Sequence, residues 1–189
     1  MKKNKIAIFA SGSGSNAENI SRFFKQHSGI EVCLFLTNKP DAPVIERAQK
    51  LGIPCFIFNR DDFYNSDRVV IELRNYNIDF IVLAGFLWLI PPALIQDFPK
   101  RILNIHPALL PKYGGKGMYG ARVHQAVIEN GEKESGITIH YVNAEYDAGD
   151  IIFQAKCSVD SFETPDSLAQ KVHKLEYEHF PRVIEKVLI

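Results

Sequence analysis

The sequence is poor in the residues that make cross-links, membrane anchors or charged tails. Only three of its 189 residues are cysteine, Cys33, Cys55 and Cys157. They lie far apart without the short spacing of a thiolate metal site, and no metal is expected. Cys33 and Cys55 sit inside apolar runs and Cys157 follows Lys156, so the three read as reduced thiols of a cytosolic protein. Neither sign of charge is in excess: Lys plus Arg number 22 and Asp plus Glu number 22. That balance excludes the basic surface that non-specific nucleic-acid binding needs, while leaving room for a local basic pocket. Long hydrophobic runs are also missing. Behind the basic start only residues 6–10 are apolar, too few for a signal peptide, and nothing approaches a membrane span. There is no repeat, low-complexity tract or linker. These absences predict a soluble, cytoplasmic chain with no nucleic-acid or membrane partner, folded as one domain over residues 1–189.

What is present is alternation. Apolar residues make up 46% of the chain, and they fall in short strand-like runs separated by helical spacing. Strands are predicted over residues 5–10, 31–36, 54–58, 80–84 and 102–105. Helices are predicted over 16–26, 44–51 and 61–76, with Pro43 opening the second, Gly52 stopping it and Asp61 capping the third. The fully apolar run 80–84 has the pattern of a strand buried on both faces. Residues 138–142 and 151–156 read as antiparallel or edge strands. Residues 164–188 read as one long helix opened by Thr164-Pro165-Asp166, which Pro181 should kink or split. The expectation is an α/β fold: a doubly wound, mostly parallel, Rossmann-like sheet with a few added C-terminal strands and a long C-terminal helix.

Two constellations carry chemistry. Ser11-Gly12-Ser13-Gly14-Ser15-Asn16 follows the first strand and opens the first helix. Glycines let the backbone approach an anion, and the free N–H groups of a helix start favour phosphate. A dinucleotide reading is weak, because Leu36-Thr37-Asn38-Lys39 stands where an acidic residue would bind ribose. A Walker lysine is missing as well. A ligand-free strand-to-helix turn is the alternative. The second constellation is Asn104-Ile105-His106-Pro107 at the carboxyl edge of the sheet. Residues i and i+2 of a strand share a face, so Asn104 and His106 project together. An amide donor beside an imidazole suits a reaction that develops an oxyanion. The same residues equally suit a capped strand end, with His106 satisfied by backbone. Asp147, in an acidic turn, either partners His106 or makes a local turn bond.

Taken in order, Ser11-Gly12-Ser13-Gly14-Ser15-Asn16, Leu83-Ala84-Gly85-Phe86, Asn104-Ile105-His106-Pro107-Ala108-Leu109-Leu110-Pro111 and Asp147-Ala148-Gly149 resemble the glycinamide ribonucleotide transformylases, a branch of the folate-dependent formyltransferase superfamily. The resemblance covers nearly the whole chain. It implies transfer of the formyl group of 10-formyltetrahydrofolate, a cosubstrate, to the amine of glycinamide ribonucleotide in purine biosynthesis. It casts His106 as general acid, Asn104 as oxyanion stabiliser and Asp147 as the carboxylate that raises the His106 pKa. It assigns Gly14, Ser15 and Asn16 to the substrate phosphate and Glu176 to the nucleotide side, an exposed helix Glu being the alternative for the last. The folate side maps to Arg60, to Leu87-Trp88-Leu89-Ile90 and to Asn104. Two departures stand out. Trp88 occupies a position where the family often has Arg. Residues 112–120 are longer and richer in glycine than the family's usual link, which suggests a lid over the substrate. His124 and Gln125, expected to open the next helix, either touch substrate or lie on its surface. The superfamily's tRNA formyltransferases need a further C-terminal domain and basic surface, and its deformylases an N-terminal regulatory domain. A non-catalytic nucleotide-binding module would not need Asn104, His106 and Asp147. A monomer or homodimer acting on two small molecules is expected.

Overall fold

The computed structural model describes residues 3–189 as one seven-stranded sheet in the order β3-β2-β1-β4-β5-β6-β7. β1 (Asn4–Phe9), β2 (Ile30–Thr37), β3 (Cys55–Ile57), β4 (Phe80–Leu83) and β5 (Ile102–His106) are mutually parallel. β6 (Glu134–Tyr141) and β7 (Ile151–Ser158) extend the sheet antiparallel. The order reverses between β1 and β4, which opens a crevice at their carboxyl ends.

Alternation along each strand feeds two cores. Ile6 and Ile8 of β1 face α1 (Ser15–Phe24), α2 (Val44–Leu51), α6 (Ala121–Glu129) and α7 (Pro165–Leu188). Ala7 and Phe9 face α3 (Arg60–Tyr64), α4 (Arg68–Asn75) and α5 (Pro92–Asp97). Successive side chains of a strand point to opposite faces, so one short apolar run serves both layers.

Four expectations are corrected. The helix predicted over 61–76 is two helices, because residues 65–67 leave helical geometry. Its cap is Asn59 rather than Asp61, in a reciprocal box with Asp62. Pro181 does not split α7, which runs 24 residues with Pro181 buried inside it. A proline cannot donate to the carbonyl four residues back, and Asn19 Nδ2 of α1 takes that orphan, Tyr177 O, at 2.9 Å. Finally, α6 begins at Ala121, so His124 and Gln125 sit inside it rather than at its start.

Candidate active site

The carboxyl ends of β1, β4 and β5 border a cavity of about 590 Å3. Its wall includes the loop from Ser11 to Asn16, residues 83–90, residues 104–107, part of the glycine-rich loop, Asp147, and His173 and Glu176 of α7. The pieces that the sequence placed in three distant segments therefore share one cleft.

At its centre His106 is 4% exposed. Its Nε2 lies 2.7 Å from Tyr113 O, and its Nδ1 lies 3.5 Å from Asp147 Oδ2. Both sequence alternatives are thus partly realised: the ring meets backbone, and it also faces a carboxylate. Asn104 Nδ2 donates to Asp147 Oδ1 at 3.3 Å and contacts His140 Nε2 at 3.1 Å. The same His140 Nε2 lies 3.7 Å from Asp147 Oδ1, and His140 Nδ1 lies 2.8 Å from Tyr141 O. Asp147 makes no local turn bond; its Oδ2 accepts from Gly115 N at 2.9 Å.

Electrostatics at this cluster are a contest. Burial lowers the His106 pKa below its ordinary 6.5, against the upward pull of Asp147 and of the Tyr113 carbonyl. Asp147 therefore acts in the expected direction, but desolvation wins and the net shift is downward. For Asp147 burial pushes up, yet His140, His106 and the Gly115 N–H outweigh it and hold the carboxyl below its usual value.

The glycine/serine loop forms another part of the wall. Gly14 precedes α1 with φ +71, and a Cβ there would sit 2.4 Å from Val44 Cγ2. Only glycine fits that left-handed, crowded position. The first-turn N–H groups of α1 have no intrahelical partner. Asn16 is 9% exposed; its Nδ2 donates to Glu176 Oε2 at 2.8 Å, while its buried Oδ1 has no partner. Glu176 is 5% exposed, so it is not a surface helix residue. His173 Nδ1 lies 2.9 Å from the same Oε2, and that bond raises the His173 pKa. His124 is buried in the wall with Nδ1 unpartnered, whereas Gln125 is exposed and bonds Glu129.

The Phe86–Ile90 stretch makes an apolar wall. Leu87, Trp88 and Leu89 are half-buried, and Ile90 is buried. Trp88 both lines the cavity and packs on Phe58, Phe63 and Tyr64. Leu87 N donates to Ser11 Oγ at 3.1 Å, tying this wall to the glycine/serine loop. Arg60 does not line the cavity. It is exposed, with its guanidinium 5.1 Å from the Tyr64 ring centre and 5.9 Å from that of Trp88.

Sequence reasoning missed His140, the Tyr113 carbonyl and the Gly115 N–H. His140 had one signal available: it alternates with Ile139 in a strand, and in the register it stands directly opposite Asn104. The two backbone groups leave no trace in side-chain identity.

Sheet order, anion-type loop and buried imidazole–carboxylate cluster together define an α/β group-transfer domain of the formyltransferase class. The chain belongs to the formyl transferase family, whose sequence profile matches residues 4–184. It is similar to phosphoribosylglycinamide formyltransferases: 45% identical to the chloroplastic one of Arabidopsis thaliana, over 97% of this chain and 65% of that protein. It is 38% identical to that of Bacillus subtilis (strain 168), over 97% of this chain and 94% of the other. The chain thus spans less than two thirds of the Arabidopsis relative's length, and 61% of the Vigna unguiculata one's. The crystal structure of glycinamide ribonucleotide transformylase 1 from Geobacillus kaustophilus superposes with a TM-score of 0.89 at 34% identity, covering 100% of both chains.

Proposed function

We propose that this chain transfers the formyl group of 10-formyltetrahydrofolate to the amine of glycinamide ribonucleotide. The observation that carries the reading is the meeting, in one cavity, of an anion-type loop, an apolar slot and the His106–Asp147–Asn104 cluster. The loop residues Gly14, Ser15 and Asn16 hold the substrate phosphate, and buried Glu176 accepts hydrogen bonds from the nucleotide. The apolar wall of Leu87, Trp88, Leu89 and Ile90 suits a planar heterocycle, with Arg60 beside Trp88 at its outer side.

10-Formyltetrahydrofolate supplies the formyl carbon and the nitrogen that leaves. His106 starts neutral, because burial lowers its pKa. It accepts the proton that the attacking amine loses, and as a cation returns it to the departing nitrogen, so its general-acid role belongs to the second half of the step. Nδ1–H rests against Asp147, which stabilises the cation, while Nε2 turns from the Tyr113 carbonyl to exchange this proton with the substrate. Asn104 already donates to Asp147, so it stabilises the formyl oxyanion by turning an amide hydrogen toward it. The glycine-rich segment 112–120 does more than cover the site, since it supplies partners to both His106 and Asp147.

No helix among the described residues is long and apolar enough to cross a membrane. Three unpaired cysteines support a reducing, cytoplasmic setting, and burial lifts Cys33 and Cys55 to about 11, away from nucleophilic use. One sheet spanning the described residues supports a single domain over 1–189, acting as a monomer or homodimer on small molecules.

A formyl-transfer assay with this substrate pair tests the reading. Wild-type protein should turn over, and His106→Ala should lose about 10²–10⁴-fold in kcat. Activity with a different formyl acceptor instead would move the chain elsewhere in its family.

A further inference from the structure

The loop that would take the phosphate is braced from outside by a residue that no part of the proposed chemistry uses. Arg47, on α2, donates from Nε to Ser13 O at 2.7 Å and pairs through Nη1 with Glu18 in the first turn of α1. Glu18 also receives Arg22 through Nε at 3.1 Å and Nη2 at 2.7 Å. The same end of α2 fixes the loop twice more: Val44 N donates to Gly12 O at 3.2 Å, and Val44 packs against Gly14.

Two physical consequences follow. In a trans peptide the C=O and the next N–H point in opposite directions. Holding the Ser13 carbonyl toward Arg47 therefore turns the Gly14 N–H the other way, away from Arg47. Secondly, Glu18 places a negative charge at a helix start that would otherwise favour an anion. Arg22 first, and then Arg47, hold its carboxyl below the usual range, so it stays charged and needs neutralising. Asn16 at this helix start, 9% exposed, itself lines the cavity.

We infer that Arg47 is a positioning residue for the phosphate-bearing substrate: it aims the Gly14 N–H by pinning the Ser13 carbonyl, and together with Arg22 it offsets the Glu18 charge beside the anion. The inference rests on the proposed function, in that the loop is the phosphate end of the site.

The test compares wild type, Arg47→Ala, Arg47→Lys and the double variant Arg47→Ala/Glu18→Gln. Steady-state kinetics give KM for each substrate, and calorimetry with ribose 5-phosphate reads the loop without catalysis. Arg47→Ala should raise KM for glycinamide ribonucleotide about tenfold and weaken ribose 5-phosphate to a similar extent. Its kcat and its KM for the formyl donor should stay at wild-type values. Arg47→Lys should fall between, keeping the charge and losing the fork. The double variant should recover part of the loss. An unchanged ribonucleotide KM in Arg47→Ala, or equal rises in both KM values, overturns the inference. Equal ribonucleotide KM in the single and double variants overturns its charge component. Wild type that binds ribose 5-phosphate but does not formylate glycinamide ribonucleotide overturns the proposed function instead, and leaves the brace measurable through binding.

Discussion

His106 faces two acceptors that a neutral ring cannot satisfy together. The Tyr113 carbonyl and the Asp147 carboxylate both only accept, while neutral imidazole carries a single N–H. The cation would satisfy both, and burial at 4% exposure resists it. A side chain pulled both ways is suited to gaining and losing a proton within one reaction step. Carbon-detected NMR of the histidines should place the His106 midpoint below 6.5, the direction set by desolvation. Asp147→Asn removes the upward pull and offers Nδ1 a donor, so its midpoint should fall further. A midpoint that rises in Asp147→Asn would contradict the assignment of Asp147 as the partner of the ring.

At the scale of elements, the β6–β7 connection decides where that carboxylate stands. Asp147 sits at φ +54, and two residues on Gly149 packs so closely on β6 that a Cβ would come within 1.7 Å of Tyr141 O. The contact is with backbone and cannot yield by a rotamer change. Gly149→Ala should push the connection off β6 and carry Asp147 away from His106. The expected result is about a 10²-fold loss in kcat, with a loss of about 1–3 kcal/mol in stability, read from turnover and urea unfolding. Unaltered kcat would show that the position of Asp147 does not depend on this close approach. The same scale explains why α7 tolerates Pro181: a neighbouring helix, through Asn19, supplies the missing donor.

For the whole molecule, three histidines link the cavity to stability. Burial holds His106 and His124 below 6.5 in the folded chain. The unfolded chain binds those protons more readily, so their contribution is intact above pH 6.5 and is lost as pH falls from there toward the lowered folded values. His173 has the opposite sign: its bond to Glu176 raises its pKa, so its contribution is full below 6.5 and fades as pH climbs through the raised value. Two groups oppose one, and His173 is the more exposed of them. The urea midpoint should therefore drop between about pH 7.5 and about pH 5.5, and His124→Gln should make that drop shallower. A midpoint that is flat across this window, or a slope identical in His124→Gln, would refute the account.

What the sequence by itself determined is local. The strand–helix alternation, the glycine/serine turn before α1 and the shared face of Asn104 and His106 follow from periodicity and from residue chemistry within a few positions. Those features gave the α/β fold and most of the cavity wall. Residues 65–67 interrupted a helical pattern because turn-forming side chains there compete with the helix backbone, a local signal that periodicity alone passes over. Only the tertiary structure decided the rest. The pairing of β5 with β6 set His140 opposite Asn104, the packing of Gly149 on Tyr141 brought Asp147 to His106, and the docking of α7 buried Glu176 against Asn16. Desolvation set the net direction of the His106 pKa, and no composition or spacing encodes it, because it depends on what the fold packs around the ring.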